Sequence, residues 1–300
     1  MDYFLELLLG GLTRGSIYAL IALGYTMVYG VLGLINFAHG EVYMIGAFVG
    51  LIVSGLLTVL GWPVLAIVAI ATVCAMVYAA AYGFTIEKVA YQPLRHAPRL
   101  SPLISAIGMS IFLQNYVLLA QSSDFQAFPQ LVPDFEFLEP YTHIILSSEL
   151  VIILAGVVTL IVLFLLIKFT KIGKAMRAIS QDRQMAMLLG VNVDNVISAT
   201  FIIGSALAGL GGILVASHVG QINFYIGFIA GLKAFTAAVL GGIGSIPGAA
   251  LGGLILGWTE SFATGYVSSD YEDVFAFGLL VFILIFRPAG ILGKVSSEKV

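Results

Sequence analysis

The longest part of the sequence without a charged side chain is residues 42–86, and this run restricts the fold more than any other feature. A helix that crosses the hydrocarbon core of a bilayer needs about 20 apolar residues, so the run is long enough for two crossings. Gly61, Trp62 and Pro63 interrupt it, and glycine close to proline is typical of a turn. The run therefore predicts two membrane helices joined by a short turn.

The composition excludes a soluble globular domain. Hydrophobic residues make up 60% of the chain, charged residues 10%, and the mean hydropathy is +1.06. In soluble domains about a quarter of the residues are charged. The sequence has no cluster of basic residues typical of a nucleic-acid-binding surface. Its single cysteine, Cys74, allows neither a disulfide framework nor a thiolate metal site. We expect an all-α, polytopic integral membrane protein that binds no nucleic acid.

The remaining uncharged runs can be compared with the same span length. Together they predict about nine membrane segments, with a range of about eight to ten. Arg14 interrupts the first segment, and the last segment is short for a span. The predicted segments are residues 8–36, 38–60, 63–86, 100–120, 150–167, 196–218, 224–243, 247–266 and 274–286.

Basic residues are concentrated on one predicted side of the membrane. Of the 13 lysines and arginines, eleven follow the third segment, surround the central loop 169–195 or lie in the C-terminal tail. The loop 121–149 has none and carries five acidic residues. Because basic residues are retained in the cytoplasm, the central loop and the C-terminus are predicted to be cytoplasmic and loop 121–149 external. The chain is predicted to form one transmembrane domain over residues 1–300, with an external N-terminus.

The external loop 121–149 is rich in phenylalanine and proline. We interpret it as an ordered outer cap that could receive a docking partner. An aromatic belt resting at the lipid interface explains the same residues equally well.

The central loop is the longest polar interruption on the basic side. Its spacing predicts one or two short surface helices that end at Gly190, because glycine is favoured just after a helix. Such helices suit contact with a soluble partner, although an ordinary solvated loop gives the same pattern.

Four ionisable residues, Arg14, Glu41, Lys233 and Glu260, fall within or close to predicted spans. A charge at membrane depth needs a partner or water. When helical rise is counted from the turn near residue 243, Lys233 and Glu260 lie at similar depths in the membrane. We therefore predict an ion pair between the seventh and eighth segments. The alternative is that Lys233 extends to the membrane interface and Glu260 lies near the outer interface.

The segment from Asn36 to Glu41 is the most polar one near the ends of the first two spans. His39 and Glu41 are compatible with a metal site or a proton relay, but two residues apart they project differently from a helix and no third ligand is near. We favour the start of a helix, with Asn36 as its cap and Glu41 in its first turn. No metal site is predicted.

The sequence shows no chemistry for hydrolysis or for ATP binding. It has no serine, histidine and aspartate arrangement, and the glycines at 241–244 lack the lysine of a phosphate-binding loop. Small residues around 204–212 and 248–257 are instead typical of closely packed membrane helices. We expect a non-catalytic chain with no cofactor of its own, so ATP would have to be used by another chain.

Three runs carry a family resemblance: GVLGLINFAHGE at residues 30–41, LISAIGM at 103–109 and AAVLGGIGSIPG at 237–248. They closely resemble LivH-type permeases of bacterial branched-chain amino acid ABC importers. The resemblance implies a BPD-type permease fold in the bacterial inner membrane and a pore shared with a LivM-type permease. It also implies two cytosolic ATPase subunits that use ATP and Mg, and a periplasmic amino-acid-binding protein.

The resemblance further implies that residues 173–190 couple the permease to its ATPase. Intramembrane gating candidates are Asn36, His39, Glu41, Lys233 and Glu260. Within the family, urea or a short amide is the alternative substrate. Outside the family, the chain could be a stand-alone carrier that uses Glu41, Lys233 and Glu260 to bind protons or sodium. A membrane scaffold or receptor is a third class, but it would leave these residues unexplained. The implied coupling residues are Gly173, Arg177, Ala178, Asp182, Arg183, Leu189 and Gly190.

Overall fold

The computed structural model describes residues 2–95, 97–98, 100–142 and 144–293. Arg99, Lys294 and Lys299, which belong to the charge count above, lie outside these residues. Most of the described chain is helical, which confirms the all-α class. The helices are α1 Asp2–Leu32, α2 His39–Val59, α3 Val64–Ile86, α4 Leu100–Ala120, α5 Ser147–Phe169, α6 Lys171–Gln181, α7 Arg183–Leu188, α8 Val193–Val219, α9 Ile226–Gly241, α10 Ile246–Tyr266 and α11 Glu272–Phe286.

Short elements connect these helices. A π-helical turn, Glu87–Tyr91, and a 3-10 turn, Gln92–Leu94, extend α3, and further 3-10 turns lie at Glu136–Tyr141 and Ser269–Tyr271. Strand β1, Gln126–Ala127, pairs antiparallel with β2, Gln221–Ile222. A helix satisfies its own backbone groups, which is why apolar runs of this kind fold as helices in lipid.

The predicted number of about nine segments is not confirmed. Within the described residues, six helices are long and apolar enough to cross a membrane: α1, α2, α3 with its extension, α4, α5 and α8. Helices α9 and α10 are bent by 119° at their break, and counting them as one broken span gives seven. The difference arises because α9 has 16 residues and α11 has 15, both short of the about 20 that a straight span needs.

Close backbone contact holds the centre of the molecule together. Helix α8 packs against α1, α2, α3 and α5. A Cβ atom at Gly209 of α8 would lie 2.7 Å from the Ala75 carbonyl oxygen and 2.7 Å from the Ala79 Cβ atom of α3. A Cβ atom at Gly253 of α10 would lie 2.6 Å from the Ala19 nitrogen of α1. The close-packing interpretation of these small residues is confirmed.

The first helix is paired with the tenth along its N-terminal half. The Trp258 Nε1 atom donates to the Leu8 carbonyl oxygen at 3.1 Å, and the Ser261 hydroxyl donates to the Leu7 carbonyl oxygen at 2.6 Å. The Tyr3 hydroxyl donates to the Gly265 carbonyl oxygen at 2.7 Å. These bonds run between helices that are antiparallel and far apart in the sequence.

The loop predicted to be external is ordered and tied to α8. Phe128 and Leu131 are buried, and the Leu131 backbone nitrogen donates to the Ser217 hydroxyl at 2.9 Å. Helix α5 begins at Ser147, inside the predicted loop. The part of the prediction that concerns order is therefore confirmed, whereas its side of the membrane stays a prediction.

The central loop forms two helices, as predicted. The Thr170 hydroxyl caps α6 by accepting from the Gly173 nitrogen at 3.0 Å. Asp182 separates the two helices, and its Oδ1 atom caps α7 by accepting from the Met185 nitrogen at 2.9 Å. Gly190 follows α7 with a φ of +84°, a conformation that favours glycine.

Candidate functional site

The predicted coupling loop presents one face to the protein and another to its surroundings. Met176, Ile179 and Ala186 are buried and anchor α6 and α7. Gly173 is also buried, and a Cβ atom there would collide with the backbone of Ile167. The close approach of α6 to the end of α5 therefore requires glycine at this position.

The opposite face carries most of the residues that the resemblance implied. Arg177 is exposed, and its Nη2 atom donates to the Lys168 carbonyl oxygen at 3.3 Å. Leu189 is 76% exposed, Ala178 and Arg183 are half-buried, and Asp182 is committed to capping α7. Apolar side chains form an exposed patch at the tip of α7. This tip patch consists of Met185, Met187, Leu188 and Leu189.

A buried ionic group joins the end of α3 to the start of α8, and the sequence analysis missed it. Glu87, in the π-helical turn, is fully buried and forms ion pairs with Arg95 and with Lys88. Arg95 also pairs with Asp194, and the Ser198 hydroxyl donates to the Glu87 Oε2 atom at 2.9 Å. We call these residues the Glu87 cluster. Its α8 members, Asp194 and Ser198, follow α7 in the chain, so the coupling loop is connected through α8 to the end of α3.

We predict that Glu87→Gln destabilises the protein. The change leaves the Arg95 guanidinium, whose side chain is 5% exposed, without its buried counter-charge. Breaking a buried pair by removing one charge costs about 3–5 kcal/mol, and the neutral amide and Asp194 offset part of that. Thermal unfolding in detergent measures the loss. Glu139→Gln, at an exposed position, is the matched control, and equal midpoints for both variants would contradict the prediction.

The ion pair predicted between Lys233 and Glu260 is present, and it is part of a larger group. The Lys233 Nζ atom lies 3.2 Å from Glu260 Oε1, 2.6 Å from Glu272 Oε1 and 2.9 Å from Asp273 Oδ1. Arg14 joins the group through Glu272, with 2.9 Å between Nη1 and Oε2. We call these five residues the Lys233 cluster. It connects α1, α9, α10 and the start of α11.

Tyr18 completes the surroundings of the buried carboxylate in this cluster. The Glu260 side chain is fully buried, and the Tyr18 hydroxyl donates to its Oε2 atom at 2.5 Å. Lys233 is also buried. Both side chains of the predicted pair are therefore inside the protein and in contact with each other, whereas their depth in the membrane stays a prediction.

A cavity of about 820 Å³ lies beside the Lys233 cluster. Its walls come mainly from α1, from residues 144–146 and the start of α5, from the end of α8 and from the first half of α9, and Glu272 of α11 also lines it. Arg14, Lys233 and Glu272 provide charge on one part of the wall, and Glu149 and His218 provide polar groups on another. Aliphatic side chains cover much of the remainder: Leu7, Ile17, Ile144, Ile145, Leu146, Val215, Ile226 and Ile229.

The segment around His39 begins a helix, but not in the way predicted. The N-terminal cap of α2 is Ala38, and Asn36 is not the cap. The Asn36 Oδ1 atom accepts instead from the Ala38 nitrogen at 3.2 Å, and α2 begins one residue later, at His39. A turn stabilised in this way competes with capping, which is common for asparagine. Glu41 does lie in the first turn of α2, as predicted.

The side chains of this segment are buried among α1, α4 and α9. His39 contacts the Tyr25 ring edge to face, with 4.9 Å between ring centroids. The Glu41 Oε1 atom accepts from the Ser110 hydroxyl at 3.0 Å. A Cβ atom at Gly227 of α9 would lie 2.6 Å from Glu41 Oε2, so α9 packs directly against the start of α2. Asn36, His39 and Glu41 thus form one buried polar region, separate from the Lys233 cluster.

Comparisons with known proteins identify the family. Residues 7–284 match the family described as the branched-chain amino acid transport system permease component. The chain is 52% identical to the high-affinity branched-chain amino acid transport system permease protein BraD of Pseudomonas aeruginosa, over 99% of this chain and 98% of that protein. It is 50% identical to the corresponding permease protein LivH of Escherichia coli K12, with the same coverage. The resemblance seen in the sequence is confirmed, and this chain belongs to the branched-chain amino acid transport system permease family.

Proposed function

We propose that the chain is the membrane-spanning permease subunit of an ATP-driven importer of branched-chain amino acids. The observation that carries this proposal is about 50% identity along nearly the whole chain to permeases of that named activity. Like other permease components of ABC transporters, the chain does not itself hydrolyse ATP. Partner ATPase subunits use ATP and Mg, and a periplasmic binding protein delivers the amino acid. A LivM-type subunit completes the pore.

The proposed orientation places α6, α7 and the C-terminus in the cytoplasm of a bacterium and the 121–149 loop outside its inner membrane. Supporting this, Lys171, Lys174, Arg177 and Arg183 all belong to α6 and α7. Basic residues of this kind are retained in the cytoplasm. The whole chain acts as one transmembrane permease domain in this proposal.

Contact with an ATPase would be made by the exposed side of α6 and α7. The tip patch on α7 is apolar and Arg177 on α6 is exposed, which together suit a partner with an apolar groove and an acidic rim. Closure of the ATPase dimer would move α6 and α7, and the Glu87 cluster would pass that movement from α8 to α3. Asn36, His39 and Glu41 lie where α2 meets α9, and we assign them a role in gating.

The decisive experiment is reconstitution with defined partners. Proteoliposomes that contain this chain, a LivM-type subunit and both ATPases are expected to take up leucine only with ATP and the binding protein. Excess isoleucine or valine should compete, and urea should not. Uptake by the isolated chain without ATP would instead favour a stand-alone carrier, and competition by urea would favour the amide substrate.

We predict that Arg177→Glu and Gly190→Pro abolish ATP-driven uptake while membrane insertion stays normal. The first reverses an exposed charge on the proposed contact surface. The second forces φ from +84° to about −65° and removes the bond from the Gly190 nitrogen to the Met187 carbonyl oxygen. Uptake, membrane fractionation and co-purification of the ATPase are the measurements.

Matched controls exist for both variants. Arg287→Glu reverses an exposed charge near the C-terminus. Gly61→Pro acts on a turn glycine with φ of +72° whose nitrogen likewise bonds a carbonyl three residues earlier, that of Thr58. Both controls are expected to retain uptake. Normal uptake in Arg177→Glu and Gly190→Pro would remove this loop from the coupling mechanism.

A further inference from the structure

We propose that the 820 Å³ cavity beside the Lys233 cluster binds the transported amino acid within this chain. Arg14 would receive the carboxylate, Glu149 the ammonium group, and the aliphatic wall the side chain. This inference rests on the proposed function and deepens it, because it assigns the permease a substrate site of its own in addition to that of the binding protein.

The first argument concerns the carboxylate. Arg14 lines the cavity, its side chain is 38% exposed, and its hydrogen bond to Glu272 uses only the Nη1 atom. A guanidinium has five N–H donors in a planar fork that suits a carboxylate. Donors therefore remain for a ligand without breaking the ion pair. Lys233 lines the same cavity, but its Nζ atom is already paired with Glu260, Glu272 and Asp273, so Arg14 is the donor proposed for the carboxylate.

The second argument concerns the ammonium group. Glu149 lines the cavity from the start of α5, and its Oε2 atom accepts from the Leu146 nitrogen at 2.9 Å. An ionised carboxylate has a second oxygen with accepting lone pairs, so Oε1 can accept from an ammonium group. His218 lies on the same wall, and its Nδ1 atom is 2.9 Å from the Ser148 hydroxyl. This part of the cavity offers acceptors where the Arg14 side offers donors.

The third argument concerns the side chain of the ligand. Ile17, Val215 and Ile229 come from α1, α8 and α9 and line the same cavity as the charged groups. A binding site typically combines a largely apolar lining with a few placed polar groups, in a volume of roughly 300–1,000 Å³. A zwitterion with a branched aliphatic side chain matches all three parts of this lining, whereas urea would leave the aliphatic part unused.

The test uses the assembled permease and ATPase complex in nanodiscs, without ATP and without binding protein. A photoreactive diazirine analogue of leucine is added, illuminated, and mapped by mass spectrometry of the labelled peptides. Label is expected in α1 near Ile17, in α9 near Ile229 or in the segment around Leu146. Unlabelled leucine should suppress it, and urea at the same concentration should not.

Two variants and two controls sharpen the test. Arg14→Gln removes the charged donor, and Ile229→Trp fills the cavity without touching a charge. Each is expected to lower leucine-suppressible labelling by about tenfold or more, the size expected for losing a charge-assisted bond or the space for the side chain. Arg287→Gln and Phe228→Trp, at exposed positions near the C-terminus and on α9, should leave labelling unchanged.

The outcomes separate this inference from the proposed function. If the complex takes up leucine with ATP and binding protein, but label is absent from the cavity or is insensitive to leucine, the cavity is not the site and the proposed function stands. Unchanged labelling in both Arg14→Gln and Ile229→Trp would also overturn the site. If the complex moves no leucine under any condition, both proposals fail.

Discussion

Lys233→Met is expected to lower the stability of the protein by about 3–5 kcal/mol, because removing one partner of a buried ion pair leaves the other charge uncompensated. The cost falls mainly on Glu260, which is fully buried and 3.2 Å from the Lys233 Nζ atom. Glu272 and Asp273 are partly exposed and can recover water. Unfolding by SDS titration, followed by circular dichroism, measures the loss.

A second change should reverse much of this effect. Lys233→Met combined with Glu260→Gln removes the uncompensated charge, and the amide can still accept from the Tyr18 hydroxyl. We expect the double variant to be clearly more stable than Lys233→Met alone. Lys171→Met, at an exposed position on α6, is the control for loss of a lysine. A Lys233→Met protein as stable as this control would show that the cluster contributes nothing.

Exchanging the two charges is a weaker test than neutralising them. Lys233 also contacts Glu272 and Asp273, so a glutamate at position 233 would meet two further carboxylates even with a lysine at position 260. We therefore expect the double reversal to rescue little.

Gly209→Ala and Gly55→Ala are expected to change stability in opposite directions. At Gly209 the new Cβ atom would lie 2.7 Å from a backbone oxygen of α3, and Gly46 of α2 packs against the same residue. The new Cβ atom would also lie 2.7 Å from the Ala79 Cβ atom, and neither that atom nor the backbone oxygen can rotate away, so overpacking should cost about 1–3 kcal/mol. At Gly55, in α2, nothing lies within 4 Å, and alanine should instead gain about 0.5–1 kcal/mol of helix stability.

Thermal midpoints in detergent and the yield of assembled complex measure both changes. Since both variants replace glycine by alanine in a helix, the difference between their thermal midpoints measures the effect of the close helix contact at Gly209. A similar midpoint for the two variants would contradict the packing that the structure shows at Gly209.

The sequence predicted those parts of the fold that depend on local composition. Uncharged runs located α2, α3 and α4 to within a few residues, because a span needs a minimum apolar length. Counting helical rise from one turn located the Lys233 and Glu260 pair, because both residues lie on helices that meet at that turn. The end of the coupling-loop helices followed from Gly190, whereas the break between them at Asp182 was not predicted.

Other features depend on packing between distant segments and were missed. Glu87, Arg95 and Asp194 meet only because α3 and α8 are antiparallel neighbours, and separately each is typical of a loop or a helix end. Glu272 falls between the predicted spans 247–266 and 274–286 and was not a candidate, although the position of α11 places it beside Arg14 and Lys233. The 119° bend between α9 and α10 depends on how both helices lie against α1 and α11, and on how α9 lies against α2.

The pairing of α1 with α10 determines the order in which the protein can be assembled. The bond between Trp258 and Leu8 joins residues 250 positions apart. At a synthesis rate of about 5–20 residues per second, the first helix leaves the ribosome roughly 12–50 seconds before its main partner. During that interval the small-residue face of α1 must be shielded by lipid or by the insertion machinery. Nascent chains that carry Gly15→Cys and are stalled before residue 246 should therefore keep this position accessible to a thiol-reactive probe.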